Sequence, residues 1–136
     1  QTPYDVIIID AGANDLLTLG SEVSLPEGAI LGVVSEVYAR VAKVKLFSTS
    51  GDETNAVLER GSLPIVLIGA GGGNFKLNLP RDVEVEIGDR ILSRDVNSRL
   101  IATVADVSIE PTDSYKEVIA ISPTNVFALR FVFVRP

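Results

Sequence analysis

Asp10 is the residue whose neighbours best equip it for chemistry. It ends the apolar run Ile7-Ile8-Ile9 and opens Ala11-Gly12-Ala13-Asn14-Asp15, so a carboxylate is delivered at the exit of a predicted strand. Two carboxylates brought together by two such loops share a proton and activate water. A second candidate is Gly69-Ala70-Gly71-Gly72-Gly73-Asn74, whose glycines would let backbone N–H groups close on an anion. Acidic neighbours at Glu84 and Glu86, and at Asp52 and Glu53 after Gly51, are the donors a calcium or magnesium ion would take. The chain has no His and no Cys, which excludes Ser-His-Asp and Cys-His catalysis and the usual zinc sites.

Each motif also has a plainer reading. The Asp10 segment looks like the apolar-apolar-Asp-Thr/Ser-Gly-Ala signature of retroviral-type aspartic proteases. It carries Ala11 where a hydroxyl residue braces the dyad, and Ile87-Gly88-Asp89-Arg90 matches their second motif only loosely. Asp10, Gly12 and Asn14 equally build a tight strand-exit turn, with Asx side chains bonding nearby backbone. The glycine run is followed by neither Lys-Ser/Thr nor a helical pattern but by the alternating Phe75 to Leu79, so it reads as a hairpin with φ > 0 positions. Glu84 and Glu86 read as one solvated face, and Gly51-Asp52-Glu53 as an acidic turn. No catalytic, cofactor-binding or metal-ligating residue is therefore expected, and no cofactor.

Strict apolar-polar alternation dominates the chain. Val83, Val85 and Ile87 alternate with Glu84 and Glu86, Phe75, Leu77 and Leu79 with Lys76 and Asn78, and Ala42, Val44 and Leu46 with Lys43 and Lys45. Successive strand side chains point to opposite faces, so each such run buries one face and wets the other. Strands are predicted over Asp5–Asp10, Glu22–Ser24, Ala29–Tyr38, Ala42–Ser48, Asn55–Arg60, Pro64–Gly69, Phe75–Leu79, Arg90–Leu92, Leu100–Ile109, Lys116–Ile121 and Leu129–Val134. Helix is confined to turns around Asn14–Leu19 and Thr124–Ala128, and the fold class is all-β.

The longest apolar runs are strand-length, so no transmembrane helix of about 20 apolar residues is encoded. The start also lacks the basic and apolar regions of a signal peptide. A start at Gln1-Thr2-Pro3 in a chain without Met reads as a fragment excised from something longer. A net charge of −6 with scattered Lys and Arg argues against nucleic acid, whose affinity comes from neutralised phosphates.

Leu19-Gly20-Ser21-Glu22-Val23, followed by the strand from Leu31 to Val37, is echoed by Ile87-Gly88-Asp89-Arg90-Ile91 and the strand from Ile101 to Val107. The echo predicts two small, six-stranded-type β-barrel modules. The second, residues 51–116, is inserted before a returning C-terminal strand, and the first comprises residues 1–50 and 117–136. Closure into barrels would remove exposed edges, and the apolar tail Phe131-Val132-Phe133-Val134 needs a slot in the first module.

Over almost its full length the chain resembles the C-terminal extracytoplasmic region of the bacterial rod shape-determining MreC family. The first module carries Tyr4 to Gly12, Leu19-Gly20 and Gly32-Val33-Val34-Ser35-Glu36-Val37. The second carries Val57, the Gly69–Asn74 loop, Leu77, Leu79-Pro80, Val85 and Ile87-Gly88-Asp89. The tail carries Val104-Ala105-Asp106-Val107, Tyr115, Ala120-Ile121-Ser122-Pro123-Thr124, Leu129 and Val132-Phe133-Val134. The chain departs from the family pattern after Leu92, where Ser93 to Arg99 is short and without glycine.

The resemblance implies a non-catalytic scaffold of the cell-elongation machinery, or elongasome, that organises peptidoglycan synthesis by association. Its implied partners are itself, penicillin-binding proteins, MreD and MreB. The implied location is the periplasm, on the extracytoplasmic face of the bacterial inner membrane, with the membrane reached only through a missing N-terminal helix followed by a coiled coil. Rival readings are the β-barrel module of a membrane-fusion or secretion-type adaptor and a retropepsin-like protease acting through Asp10.

Overall fold

The computed structural model describes residues 5–125 and 132–135. Among these residues the alternating segments form eleven strands: β1 (Val6–Ile9), β2 (Glu22–Ser24), β3 (Ile30–Val37), β4 (Ala42–Leu46), β5 (Glu53–Leu58), β6 (Leu63–Gly71), β7 (Asn74–Pro80), β8 (Arg90–Ser93), β9 (Leu100–Ser108), β10 (Tyr115–Ile121) and β11 (Phe133–Arg135). All sheet pairings among the described residues are antiparallel. β5 to β10 close into a six-stranded barrel in the order β10-β7-β6-β5-β8-β9, while the other strands form a sheet in the order β1-β4-β3-β2-β11. The first module thus has five strands among the described residues.

Period-two patterning decides which side chains meet. Leu58, Ile65, Leu67, Phe75, Leu77, Leu79, Ile91, Ile101 and Val118 all point into the barrel and share one core. The sheet buries Val23, Val34, Ala42 and Val44 on one face, with Val132 and Val134 packed against them. β11 returns to the first module and pairs with β2, Val134 opposite Val23, so the barrel is inserted into the sheet's chain path as the echo implies.

The structure moves one boundary. A division between residues 116 and 117 would cut β10, yet β10 pairs along its length with β7 and β9. Its Val118 and Ala120 are barrel core, so the strand belongs whole to the barrel. The predicted Asn14–Leu19 turn is a short 3-10 turn at Ala13–Asp15. The predicted turn at Thr124–Ala128 and the start of the last strand at Leu129 fall largely on residues 126–131, outside the described residues. Val83 to Ile87 alternates like a strand but lies in an irregular connection. The amide of Val83 turns back to the Pro80 carbonyl at 3.0 Å, and that of Glu86 is held by Asp89 at 2.9 Å.

The echo is structural. The Gly20 amide donates to the Val34 carbonyl at 2.9 Å and the Val34 amide to the Ser21 carbonyl at 2.9 Å; Gly88, Val104 and Asp89 repeat both bonds at 2.8 Å. Both glycines have positive φ, 85° and 94°, which glycine adopts at no steric cost. The following strand pairs also share a bulge: β2–β3 skips Leu31, as β8–β9 skips Ile101. Extended outward, the correspondence sets β4 against β10, β1 against β7 and β11 against β5. β6 alone has no counterpart among the described residues, and β1 and β11 are edges there because no strand lies between them.

Candidate interaction surface

The Asp10 loop is a structural lock. Asp10 is exposed beyond the end of β1. The Ala13 and Asn14 amides donate to the carbonyls of Tyr38 and Ala39 at 2.7 and 3.0 Å, fastening the loop to the β3–β4 hairpin. A Cβ on Gly12 would run into the Tyr38 carbonyl and the Val41 amide, so glycine is required for this close approach. The side chain that holds the turn is Asp15, whose carboxylate accepts from the Gly12 amide at 3.0 Å; the Asx contact expected of Asp10 is made five residues later. Asp89, the candidate from the second loop, sits in the other module and is gripped by an arginine.

That grip closes the far loops of the barrel. Arg60 donates through Nε and Nη2 to the two Asp89 oxygens at 2.7 and 2.9 Å, and through Nη2 to Glu86 at 3.0 Å. The hydrogen bond from Arg60 holds the Asp89 carboxyl below its ordinary pKa, against a smaller opposing effect of burial. Arg60 is correspondingly pushed up. Ile87-Gly88-Asp89 therefore serves as a staple, its carboxylate tying this loop to Arg60. Among the described residues no three carboxylates gather closely enough to hold a metal ion. Asp52 instead pairs with Lys45 at 2.9 Å.

The glycine run forms the predicted β6–β7 hairpin, with φ of 91°, 64° and 88° at Gly71, Gly72 and Gly73. Its amides face the connection between the modules: Gly71 donates to the Ser48 carbonyl at 2.7 Å and Gly73 to the Ser48 hydroxyl at 2.9 Å. The short Ser93–Arg99 loop is self-braced, with Asp95 accepting from Ser93 Oγ and from the amides of Asn97 and Ser98. It presents Arg99, which donates to the Gly28 carbonyl at 3.0 Å and lies 3.4 Å from Glu22 in the first module. Ser48 and Arg99 were not legible as contact residues, because nothing local in the sequence marks a side chain that acts across a module boundary.

Among the side chains that the fold leaves in water are aliphatic and aromatic ones. Leu19 and Ile87, the two residues preceding the equivalent glycines, are 68% and 70% exposed. Ile8 on edge strand β1 and Phe133 on β11 are also exposed. Ile8 stands in register with Lys43, and Lys43 with Glu36. Glu36 is bound by the Tyr38 hydroxyl at 2.7 Å and lies 3.3 Å from Lys43; first the tyrosine bond and then the lysine lower its pKa. On the barrel wall an open groove of about 570 Å³ is lined by Pro64, Val66, Ile68, Asn78, Pro80 and Arg94, among others.

The profile described as "Rod shape-determining protein MreC, barrel core" matches residues 1–136. The chain belongs to the MreC family. The fold is similar to the crystal structure of MreC from Pseudomonas aeruginosa, with a TM-score of 0.84 at 22% identity over 98% of this chain and 91% of that one. A second MreC structure gives 0.84 at 23% identity over 98% and 80% of the two chains. That of MreC from Listeria monocytogenes gives 0.74 at 20% over 98% and 70%. No curated protein matches by sequence. Rod shape determination is thus the family's role, and among the described residues no helix is long and apolar enough to cross a membrane.

Proposed function

We propose that this chain is the extracytoplasmic part of a non-catalytic scaffold of the bacterial elongation machinery, which organises peptidoglycan synthesis by protein–protein association. Its partners are a second copy of itself and the extracytoplasmic domain of a penicillin-binding protein, with MreD and MreB engaged by the full-length protein at the inner membrane. A single membrane span and a coiled coil preceding the chain anchor it on the periplasmic side. The folding units are residues up to 50 together with those after Ile121, and the barrel between them.

The observation that carries this reading is the set of aliphatic side chains held outward on hydrogen-bonded loops and on the edge of β1, in a chain from a shape-determining family. The run Val6-Ile7-Ile8-Ile9 contains neither Lys nor Pro, the residues that blunt an edge strand, so main-chain addition there is inexpensive. Each contact is weak by itself, and an upstream coiled coil raises the effective concentration at which it forms. Sedimentation of the chain over a wide concentration range, alone and with a penicillin-binding protein's extracytoplasmic domain from the same organism, tests the proposal. Concentration-dependent association that Leu19→Asp or Ile87→Asp weakens is expected. A strictly monomeric chain that also ignores the synthase would overturn it.

A further inference from the structure

Both crossings between the modules are pinned to one hairpin. On the outward crossing, the Gly71 and Gly73 amides hold Ser48, the Gly51 amide donates to the Gly69 carbonyl at 2.9 Å, and the Gly69 amide donates to the Asp52 carbonyl at 2.8 Å. On the return, the Ser122 amide donates to the Gly73 carbonyl at 2.7 Å. A Cβ on Gly69 would be driven into the backbone of Ser48 and Thr49. Those two residues are 2% and 5% exposed, and the Thr49 hydroxyl caps the elbow by donating to the Leu46 carbonyl at 2.7 Å.

The apolar part of the joint is reciprocal. Ile30, from the sheet, is buried in the barrel core. Leu100, from the barrel, packs on the sheet's second cluster of Leu25, Ala29, Leu31 and Leu46. These two residues are counterparts in the repeat, since Ile30 is the partner of Ser24 past the β2–β3 bulge and Leu100 that of Leu92 past the β8–β9 bulge. An exchange in which each copy of one position enters the other module is the mark of an isologous, two-fold contact. Arg99 adds its bonds to Gly28 and Glu22.

We propose that the two modules are joined as an internal pseudo-dimer, rigid about an approximate two-fold axis, with the glycine hairpin as its clasp. Ser48, Gly69 and Arg99 are positioning residues that fix the angle between the modules, and so the separation at which the equivalent Leu19 and Ile87 are displayed. Domains in one chain move relative to each other unless their interface is extensive and apolar. Here main-chain bonds at both crossings and an exchanged aliphatic pair supply that constraint.

Residual dipolar couplings of the backbone amides, measured on the whole 136-residue chain, test this. One alignment tensor should fit both modules of the unaltered protein. Gly69→Val should leave the couplings within each module self-consistent while requiring two differently oriented tensors. If Gly69→Val does not fold, the Ser48→Ala, Arg99→Ala double variant decides, with the two tensor magnitudes expected to diverge as the modules decouple. Two tensors of unequal magnitude in the unaltered chain would overturn the proposal, as would a folded variant of either kind that still fits a single unchanged tensor.

Discussion

Replacing Ile30 by Ala probes the joint at its apolar centre. Ile30 is held by strand pairing in the first module, opposite Ser24, and by packing in the barrel core, where it is 4% exposed. The substitution removes most of a buried aliphatic side chain and leaves a cavity between elements that the clasp prevents from closing. Such a loss costs roughly 2–5 kcal/mol, transfer and cavity terms together. With an unfolding entropy of about 2.1 cal/mol/K per residue over 136 residues, each kcal/mol moves the midpoint by about 3.5 °C. The expected fall in Tm is therefore about 7–17 °C. Calorimetry and urea melts followed by far-UV circular dichroism provide the assay. Ile30→Val should cost only about 0.5–1.5 kcal/mol, and the exposed Ile8→Ala should stay within about 0.5 kcal/mol of the unaltered chain. Because one side chain belongs to both modules, their unfolding should shift together. A loss below about 1 kcal/mol, or a shift confined to one of two separated transitions, would refute the reasoning.

Three further outcomes follow from the same contacts. Asp89 has a depressed pKa in the folded state, so the stabilisation from Arg60 is complete above the ordinary carboxylate pKa and is lost as pH falls through the folded value. The urea midpoint followed from about pH 6 down to about pH 2 should show an acid limb that Asp89→Asn flattens. Gly12→Val forces a side chain against the Tyr38 carbonyl and the Val41 amide; a loss of about 1–3 kcal/mol is expected, with hydrogen exchange accelerating first in β1, β3 and β4. Ending the chain after Ile121 removes β11 from β2 and takes Val132 and Val134 from the sheet's core. Exchange protection should then collapse in the first module and persist in the barrel, whereas a truncated protein that melts as cooperatively as the intact one would contradict the interleaved path.

Strand positions were readable from the sequence because each strand buries one face, and a period of two is written directly into neighbours such as Phe75, Leu77 and Leu79. The repeat was readable for a related reason: a left-handed turn before a short strand calls for glycine, and Gly20 and Gly88 stand in the same local setting. The family could be recognised because the order of these soft motifs over the whole length is specific even though each alone is not. Tertiary structure alone decided what those motifs face. Glycine at position 69 or 12 signals that something comes close, but whether it is an anion, a substrate or another piece of backbone depends on residues distant in sequence. Here it is the carbonyl of Thr49 in one case and of Tyr38 in the other. The assignment of β10 to the barrel, the staple between Arg60 and Asp89, and the exchange of Ile30 for Leu100 likewise arise from pairings between residues far apart in the chain. Alternation records which face of a strand is buried; it carries no information about which neighbour buries it.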